Sequence, residues 1–149
     1  MRNNLYFVGG AKGVGKSSVL NYINRSIDTD IINTGDFFRK EKEVNSSLQP
    51  QEIIRSAKQK LINYILEENT LIIDTHYAGF VNNIYTPRFE RGLYKDELNY
   101  LEKNRNLEFI LITLDPHTLF NRRIKDNNRN RDFKFSNIQR ELEANEFFF

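Results

Sequence analysis

Residues 7–19 of the chain read FVGGAKGVGKSSV, and this stretch decides the fold. It holds four glycines and two lysines, opens on apolar residues and closes on a pair of serines. Gly10, Gly15, Lys16 and Ser17 fit the pattern G-x-x-x-x-G-K-[ST]. A β-prone apolar run precedes the glycines, and apolar residues at helical spacing follow them. The stretch is therefore predicted to be a loop between a strand and a helix.

A glycine loop in this setting is suited to binding polyphosphate. Phosphate oxygens need several N–H donors at once, and only backbone without side chains can wrap them so closely. The helix that begins near Lys16 adds its positive end. Lys16 is predicted to reach the β- and γ-phosphates, and Ser17 to bind Mg²⁺. The residues predicted to bind ATP are Gly10, Lys12, Gly13, Gly15, Lys16, Ser17 and Ser18.

A metal bound at such a loop needs an acidic partner at the end of a neighbouring strand. Asp74 ends the apolar run LIID and is our prediction for this partner, together with Ser17. An aspartate that only caps a turn is the alternative for Asp74. Asp36 and Asp115 also follow predicted strands, but Asp115 precedes Pro116 and is better explained as a helix N-cap.

The rest of the chain alternates strands with helices. Strands are predicted at 5–8, 30–34, 70–75 and 107–114, and a long helix begins at Pro50. The residues after 34 form a polar stretch up to Pro50, and those after 75 read as a loop broken by Gly79, Pro87 and Gly92. Such alternation predicts an α/β fold with a parallel sheet flanked by helices.

Composition bounds the class of protein. A chain of 149 residues is expected to form a single domain, 1–149. The chain has no cysteine, which excludes disulfides and thiolate metal sites and favours a cytoplasmic location. No apolar run is long enough to suggest a membrane span or a signal peptide.

The net charge of +2 is unevenly distributed. Six basic and two acidic residues fall within 122–134. A solvated helix face is the simplest explanation of such a patch. Since arginine binds phosphate with two parallel hydrogen bonds, we favour a lid that closes over the phosphates. A nucleic-acid surface would use the same charges, but one loop beside a nearly neutral body makes nucleic acid an unfavoured partner. The arginines concerned are Arg122, Arg123, Arg129 and Arg131.

Four segments together resemble a known family. VGGAKGVGKSSV, INTGDFFRK, LIIDTH and RRIKDNNRNRD, in this order, are similar to the nucleoside monophosphate kinases, and specifically to the short-lid, archaeal-type adenylate kinases. The similarity extends from Leu5 to about Asn145. The resemblance implies a P-loop NTPase fold with the strand order 2-3-1-4, an acceptor-binding helical insert at about 34–68 and a short lid at about 122–135.

The resemblance also implies roles for particular residues. Lys16 and the four arginines of the basic patch would be catalytic, and Asp132 would steady the lid. The residues that the resemblance implies for acceptor binding are Thr34, Gly35 and Arg39, and we add His76 and Arg88 as our own predictions for the same site. The residues alone leave alternatives open, because Thr34 could equally be a helix cap, Arg39 a solvated helix residue and His76 a structural histidine.

The chain departs from the family in two places. Longer-lid adenylate kinases have an arginine after a glycine-phenylalanine-proline turn, where this chain reads DTHYAGF, so Arg88 or Arg91 would have to substitute. The family's fifth strand, whose following loop contacts the adenine of ATP, has no counterpart here. Either the chain is a fragment or truncated form, or it is a naturally shortened relative, and the final Phe147, Phe148 and Phe149 favour the first.

The function predicted is therefore Mg²⁺-dependent transfer of the γ-phosphoryl group of ATP to a nucleoside monophosphate, most simply AMP, giving two ADP. A kinase for another small acceptor is one alternative, in which Asp36 could serve as a base for a hydroxyl group. A P-loop ATPase or nucleotide-binding module that acts on a macromolecular partner is another, because this fold hosts many activities.

Overall fold

The computed structural model describes residues 3–27, 29–87, 95–126 and 133–149. The strands are β1 (Asn4–Gly9), β2 (Asp30–Asn33), β3 (Leu71–Asp74), β4 (Ala78–Val81), β5 (Ile84–Pro87) and β6 (Asn106–Leu111). The helices are α1 (Lys16–Ser26), α2 (Thr34–Val44), α3 (Pro50–Glu67), α4 (Lys95–Asn104), α5 (Pro116–Lys125) and α6 (Phe135–Phe147).

Four strands form a parallel sheet in the order β2-β3-β1-β6. The predicted order 2-3-1-4 is confirmed, since β6 is the fourth parallel strand in chain order. In the register, Asp74 lies opposite Val8 on one side and opposite Asn33 on the other. The carboxyl ends of three strands therefore meet at one edge, which is where open α/β sheets bind ligands.

Apolar side chains pack on both faces of this sheet. On one face, Phe7 and Ile73 pack with Leu61 and Ile65 of α3. On the other face, Val8 and Ile72 pack with Leu20 of α1. Burial on both faces explains why β1 and β3 read as continuous apolar runs rather than alternating ones.

The residues after β3 form a hairpin, so our prediction of a loop is wrong for this segment. β4 and β5 pair antiparallel, with Phe80 opposite Tyr85. Asn82 and Asn83 make the turn, with φ values of 50° and 65°. Two consecutive residues with positive φ are typical of a type I′ turn, which asparagine tolerates. The hairpin lies against α6, whose Asn145 Oδ1 accepts hydrogen bonds from the N–H groups of Tyr77 and Ala78 at 3.1 and 3.3 Å.

The polar stretch after β2 contains α2, a helix that we did not predict from local spacing. Asn33 is its N-cap, because Asn33 Oδ1 accepts from the Gly35 N–H at 2.9 Å. Thr34 is therefore not the cap, and that alternative is wrong. The prediction for Asp115 is confirmed, since its side chain accepts from the Thr118 N–H at 2.9 Å and Pro116 follows it. Both caps satisfy donors that a helix start would otherwise leave unpaired.

Two of the final phenylalanines are largely exposed. Phe147 exposes 82% of its surface and Phe149 exposes 54%. The ring of Phe149 still makes an edge-on contact with the buried Tyr77, at a centroid distance of 5.3 Å. Among the residues that the structure describes, no helix has the length and apolar character needed to cross a membrane.

Candidate active site

The glycine loop between β1 and α1 has a backbone that only glycine can follow at several positions. Gly10, Gly13 and Gly15 have φ values of 147°, 88° and 107°. A Cβ at Gly10 would lie 2.1 Å from the carbonyl oxygen of Ile112, closer than any real contact. The sequence pattern is thus explained by both backbone conformation and close approach.

Three carbonyl groups of this loop accept hydrogen bonds from cationic side chains. Gly10 O accepts from Lys16, Lys12 O from Arg123 and Val14 O from Arg122. In contrast, the N–H groups of Gly13, Val14 and Gly15 have no acceptor among the described residues. A concave loop with carbonyls paired and several N–H groups available is an anion-binding arrangement.

Lys16 is the first residue of α1 and only 7% of its surface is exposed. Its Nζ donates to Gly10 O at 2.8 Å and lies 3.3 Å from His76 Nδ1. His76 Nδ1 is itself 2.7 Å from Gly10 O, so this nitrogen carries the proton and donates it to the carbonyl. Burial, and then the charge of Lys16, lower the pKa of His76, which keeps the ring neutral beside the loop.

Asp74 lies at the end of β3, where we predicted a metal partner for Ser17. Asp74 Oδ2 accepts from Asn33 Nδ2 at 3.1 Å, so the cap of α2 also orients this carboxylate. Ser17 is exposed at the start of α1. A hydroxyl and one carboxylate are hard oxygen ligands of the kind that Mg²⁺ uses when substrate phosphates complete its coordination. The donor set therefore fits Mg²⁺ bound together with a nucleotide.

The two described arginines of the basic patch lie differently. Arg122 is exposed, and its Nη1 donates to Val14 O at 3.2 Å. Arg123 is 2% exposed and donates to Lys12 O and to the carboxylate of Glu141. Arg122 thus borders the loop with its side chain open to solvent, whereas the guanidinium of Arg123 is enclosed. Arg129, Arg131 and Asp132 lie outside the described residues.

The predicted acceptor residues follow β2 and β3. Thr34 is fully buried, and its Oγ1 has no hydrogen-bond partner among the described residues. Arg39 is on the exposed side of α2, 73% open to solvent and ion-paired with Asp36. Gly35 lies beside Asn33, and His76 follows β3 within contact of Lys16. Arg88 and Arg91 are not among the described residues.

A cavity of about 210 Å³ adjoins the loop. It lies between the β4–β5 hairpin and α6, and Lys12, His76, Phe80, Tyr85 and Arg140 contribute to its lining. Its volume is below the ~300 Å³ at which typical small-molecule sites begin. The cavity could therefore enclose part of a nucleotide, but not a whole one.

Two residues of α6 that hold the site together were missed by our sequence analysis. Glu141 accepts the Lys12 N–H at 2.9 Å, and Asn145 holds the start of the hairpin. Glu141 is 129 positions from Lys12, so no local spacing connects the two residues. The available signal was that Glu141 and Asn145 are four residues apart in α6, beside the buried Ile138 and Leu142, so polar side chains lie next to its apolar face.

A glycine loop with free N–H groups, a buried lysine at the head of a helix and a strand-end aspartate define a P-loop nucleotide-binding protein. Comparison with known proteins narrows this class. Residues 9–139 match the family described as an AAA domain.

Relatives of known name are kinases. The chain is 31% identical over 137 residues to an adenylate kinase from Methanothermobacter thermautotrophicus, covering 84% of this chain and 70% of that one. It is 29% identical over 143 residues to a GTP:AMP phosphotransferase from Plasmodium falciparum, covering 89% of this chain. The chain spans 59% of the length of that relative. The chain belongs to the nucleoside monophosphate kinase family of P-loop proteins.

Solved structures show the same fold. A chain of the Pnkp1/Rnl/Hen1 RNA repair complex superposes with a TM-score of 0.64 at 18% identity, covering 99% of this chain and 45% of that one. Shikimate kinase from Bacteroides thetaiotaomicron superposes with a TM-score of 0.56 at 15% identity, covering 97% of this chain and 80% of that one. At these identities the likeness concerns the fold alone.

Proposed function

We propose that the protein transfers the γ-phosphoryl group of Mg²⁺-ATP to AMP and so forms two ADP. The proposal rests chiefly on the glycine loop, in which the N–H groups of Gly13, Val14 and Gly15 have no acceptor among the described residues and Gly10 O holds the buried ammonium of Lys16. The similarity to adenylate kinases supports AMP as the acceptor.

The reaction asks the protein for alignment and charge stabilisation rather than for a base. An oxygen of the AMP phosphate attacks the γ-phosphorus, and the bond from that phosphorus to the β-phosphate oxygen breaks. The attacking oxygen is already deprotonated, so no general base is needed. Lys16 and the loop N–H groups hold the β- and γ-phosphates as their charge shifts during transfer.

Ser17 and Asp74 would hold Mg²⁺, whose charge would stabilise the phosphates when bound. Asn33 contributes by orienting the Asp74 carboxylate through its side-chain amide. His76 does not accept a proton in this scheme, because its neutral ring donates to Gly10 O. We propose that His76 positions the Gly10 carbonyl and lies on the acceptor side of the site.

The acceptor is assigned to the segment at about 34–68, and the lid to about 122–135. Thr34 Oγ1 supports the first assignment, because a buried hydroxyl with no partner is costly unless a ligand satisfies it. Arg39 would bind the acceptor phosphate by leaving its ion pair with the exposed Asp36. Such an exposed pair contributes little, so its exchange for a phosphate is inexpensive.

A kinase for a smaller acceptor is the second candidate, and the cavity beside Lys12 favours it. Its volume of about 210 Å³ suits a small hydroxylated metabolite better than a whole nucleotide. Asp36, the base considered for a hydroxyl acceptor, does not line this cavity, so it would serve only an acceptor bound beside α2.

An acceptor panel separates these functions. ADP formation from Mg²⁺-ATP would be measured with AMP, CMP, UMP, GMP, dTMP, a set of small alcohols, or no acceptor. The proposal predicts turnover that depends on AMP. Turnover with an alcohol but not with AMP would support the second candidate, and turnover without any acceptor would indicate an ATPase.

A further inference from the structure

Lys12, Glu141 and Arg123 form a closed ring of hydrogen bonds behind the glycine loop. The Lys12 N–H donates to Glu141 Oε1 at 2.9 Å, and Lys12 O accepts from Arg123 Nη2 at 2.7 Å and Nε at 3.2 Å. Arg123 Nη2 also donates to Glu141 Oε2 at 2.7 Å. Each member of the ring is therefore bound to the other two.

The ion pair of the ring is shielded from solvent, whereas Lys12 is exposed. The side chain of Arg123 is 2% exposed and that of Glu141 is 17% exposed. Hydrogen bonds between ionised groups are stronger in such surroundings than in water. The pair therefore fixes the orientation of the Lys12 N–H and C=O groups to which it is hydrogen-bonded.

Glu141 and Arg123 bind the two peptide groups on either side of Lys12. Because a trans peptide is planar, the carbonyl of Lys12 and the N–H of Gly13 lie in one plane and point in opposite directions. Arg123 holds that carbonyl outward, toward α5. The Gly13 N–H must consequently point to the inner side of the loop, where it has no acceptor among the described residues.

We propose that Glu141 and Arg123 are positioning residues that aim the Gly13 N–H at the phosphates of bound ATP. Glu141 acts through its hydrogen bonds to Lys12 and Arg123. The proposal rests on the ATP binding proposed above, and it gives Arg123 a different task from that of the exposed Arg122.

Other contacts hold α6 in place, so the ring can be altered without losing the helix. Ile138 and Leu142 pack in a cluster with Val14 and Leu119, and Asn145 is bonded to the hairpin. Replacing both members of a buried ion pair by apolar residues is commonly neutral for stability, whereas removing one member leaves a buried charge. This difference allows positioning to be separated from folding.

The test compares the double variant Arg123→Met/Glu141→Leu with the wild type. ATP affinity would be measured by calorimetry and the melting temperature by circular dichroism. We expect a melting temperature close to that of the wild type and a roughly tenfold or greater loss of ATP affinity, about the value of one hydrogen bond to a charged group. Glu143→Gln, an exposed change on the same helix, is the control and should alter neither quantity.

Unchanged ATP affinity in the folded double variant would overturn the inference while leaving the proposed function intact. If the double variant does not fold, Arg123→Lys provides the test. The ammonium keeps a charge opposite Glu141 but cannot reproduce the forked pair of hydrogen bonds to Lys12 O, so ATP affinity should fall; wild-type affinity would contradict the inference. A wild type that binds no ATP would refute the proposed function and the inference with it.

Discussion

Lys16 and His76 share one acceptor, the carbonyl oxygen of Gly10, with Nζ at 2.8 Å and Nδ1 at 2.7 Å. The Lys16 side chain, which is proposed to bind the phosphates, is thus held in place by a carbonyl of the glycine loop. Because burial and the charge of Lys16 lower the pKa of His76, the imidazole adds a dipole to this site and not a second full charge. Because Gly10 O and the His76 ring both lie within hydrogen-bond distance of Nζ, little space is left around the Lys16 ammonium.

Lys16→Arg should therefore fail almost as completely as Lys16→Ala, although it keeps the charge. A planar guanidinium cannot take the place of a compact ammonium that is 7% exposed. We expect kcat to fall by about 10²-fold or more, the usual cost of a lost preorganised donor. The exposed Lys103→Arg on α4 is the matched control and should keep full activity. A Lys16→Arg enzyme within a few-fold of the wild type would contradict the geometry.

Arg39→Ala should weaken the acceptor more than ATP. Arg39 is on α2, beyond β2, and among the described residues its ionic partner is Asp36 of the same helix, so its removal should leave the glycine loop unchanged. The expected result is a rise in KM for AMP of about tenfold, with KM for ATP unchanged. Steady-state kinetics with each substrate varied would show this, with Lys42→Ala on the same helix as control. Equal losses for both substrates would remove Arg39 from the acceptor site.

Protonation of Glu41 should lower the stability of the protein in acid. Hydrogen bonds from Lys60 and then Ser56 hold the pKa of this buried carboxyl below its usual value. Since the folded state favours the charged form, its contribution is complete above about pH 4.3 and disappears as pH falls through the lowered pKa. Melting temperatures of the wild type and Glu41→Gln should therefore converge as pH falls from 6 to 3. The exposed Glu43→Gln should show no such convergence, and a constant gap for Glu41→Gln would refute the explanation.

Arg105 should be essential to the end of α3. Its buried guanidinium donates to the carbonyl oxygens of Ile65, Glu68 and Asn69, groups that the helix end would otherwise leave unpaired. Arg105→Met should lower the free energy of unfolding by about 2–3 kcal/mol, and Arg105→Lys should restore little because one ammonium cannot span three carbonyls. Urea unfolding measures both, with the exposed Arg55→Met as control. If Arg105→Lys restored the full free energy of unfolding, a positive charge alone would be enough at this helix end, and the three-carbonyl explanation would be wrong.

Most of the fold could be predicted because its signals are local. The apolar runs of β1 and β3 and the glycine loop determine the sheet, and turn chemistry identifies the Asp115 cap. The β4–β5 hairpin was also encoded, since Asn82 and Asn83 lie between two short runs of β-prone residues, but the glycine and proline nearby suggested a loop. The Asn33 cap of α2 was missed because Thr34 beside it is also a common cap residue.

The site was harder to predict where its contacts are distant in the sequence. Lys16, Ser17 and Asp74 belong to patterns that chemistry requires, so their types and positions indicate their roles. Arg123 looks like Arg122 in the sequence, and only tertiary packing turns one guanidinium inward to Glu141 and leaves the other exposed. Helical spacing places Arg123 one turn beyond the buried Leu119, but it does not identify Glu141 as the partner of that guanidinium.

The most direct test of the account is the stoichiometry of ADP formation. The wild-type chain would be incubated with Mg²⁺-ATP and a limiting amount of AMP, with Lys16→Ala run in parallel to detect a contaminating kinase. We predict that two ADP appear for each AMP consumed, and that the variant forms none while its circular dichroism spectrum is unchanged. ADP that forms at the same rate with and without AMP, or equally in both proteins, would contradict the assignment of phosphoryl transfer to AMP.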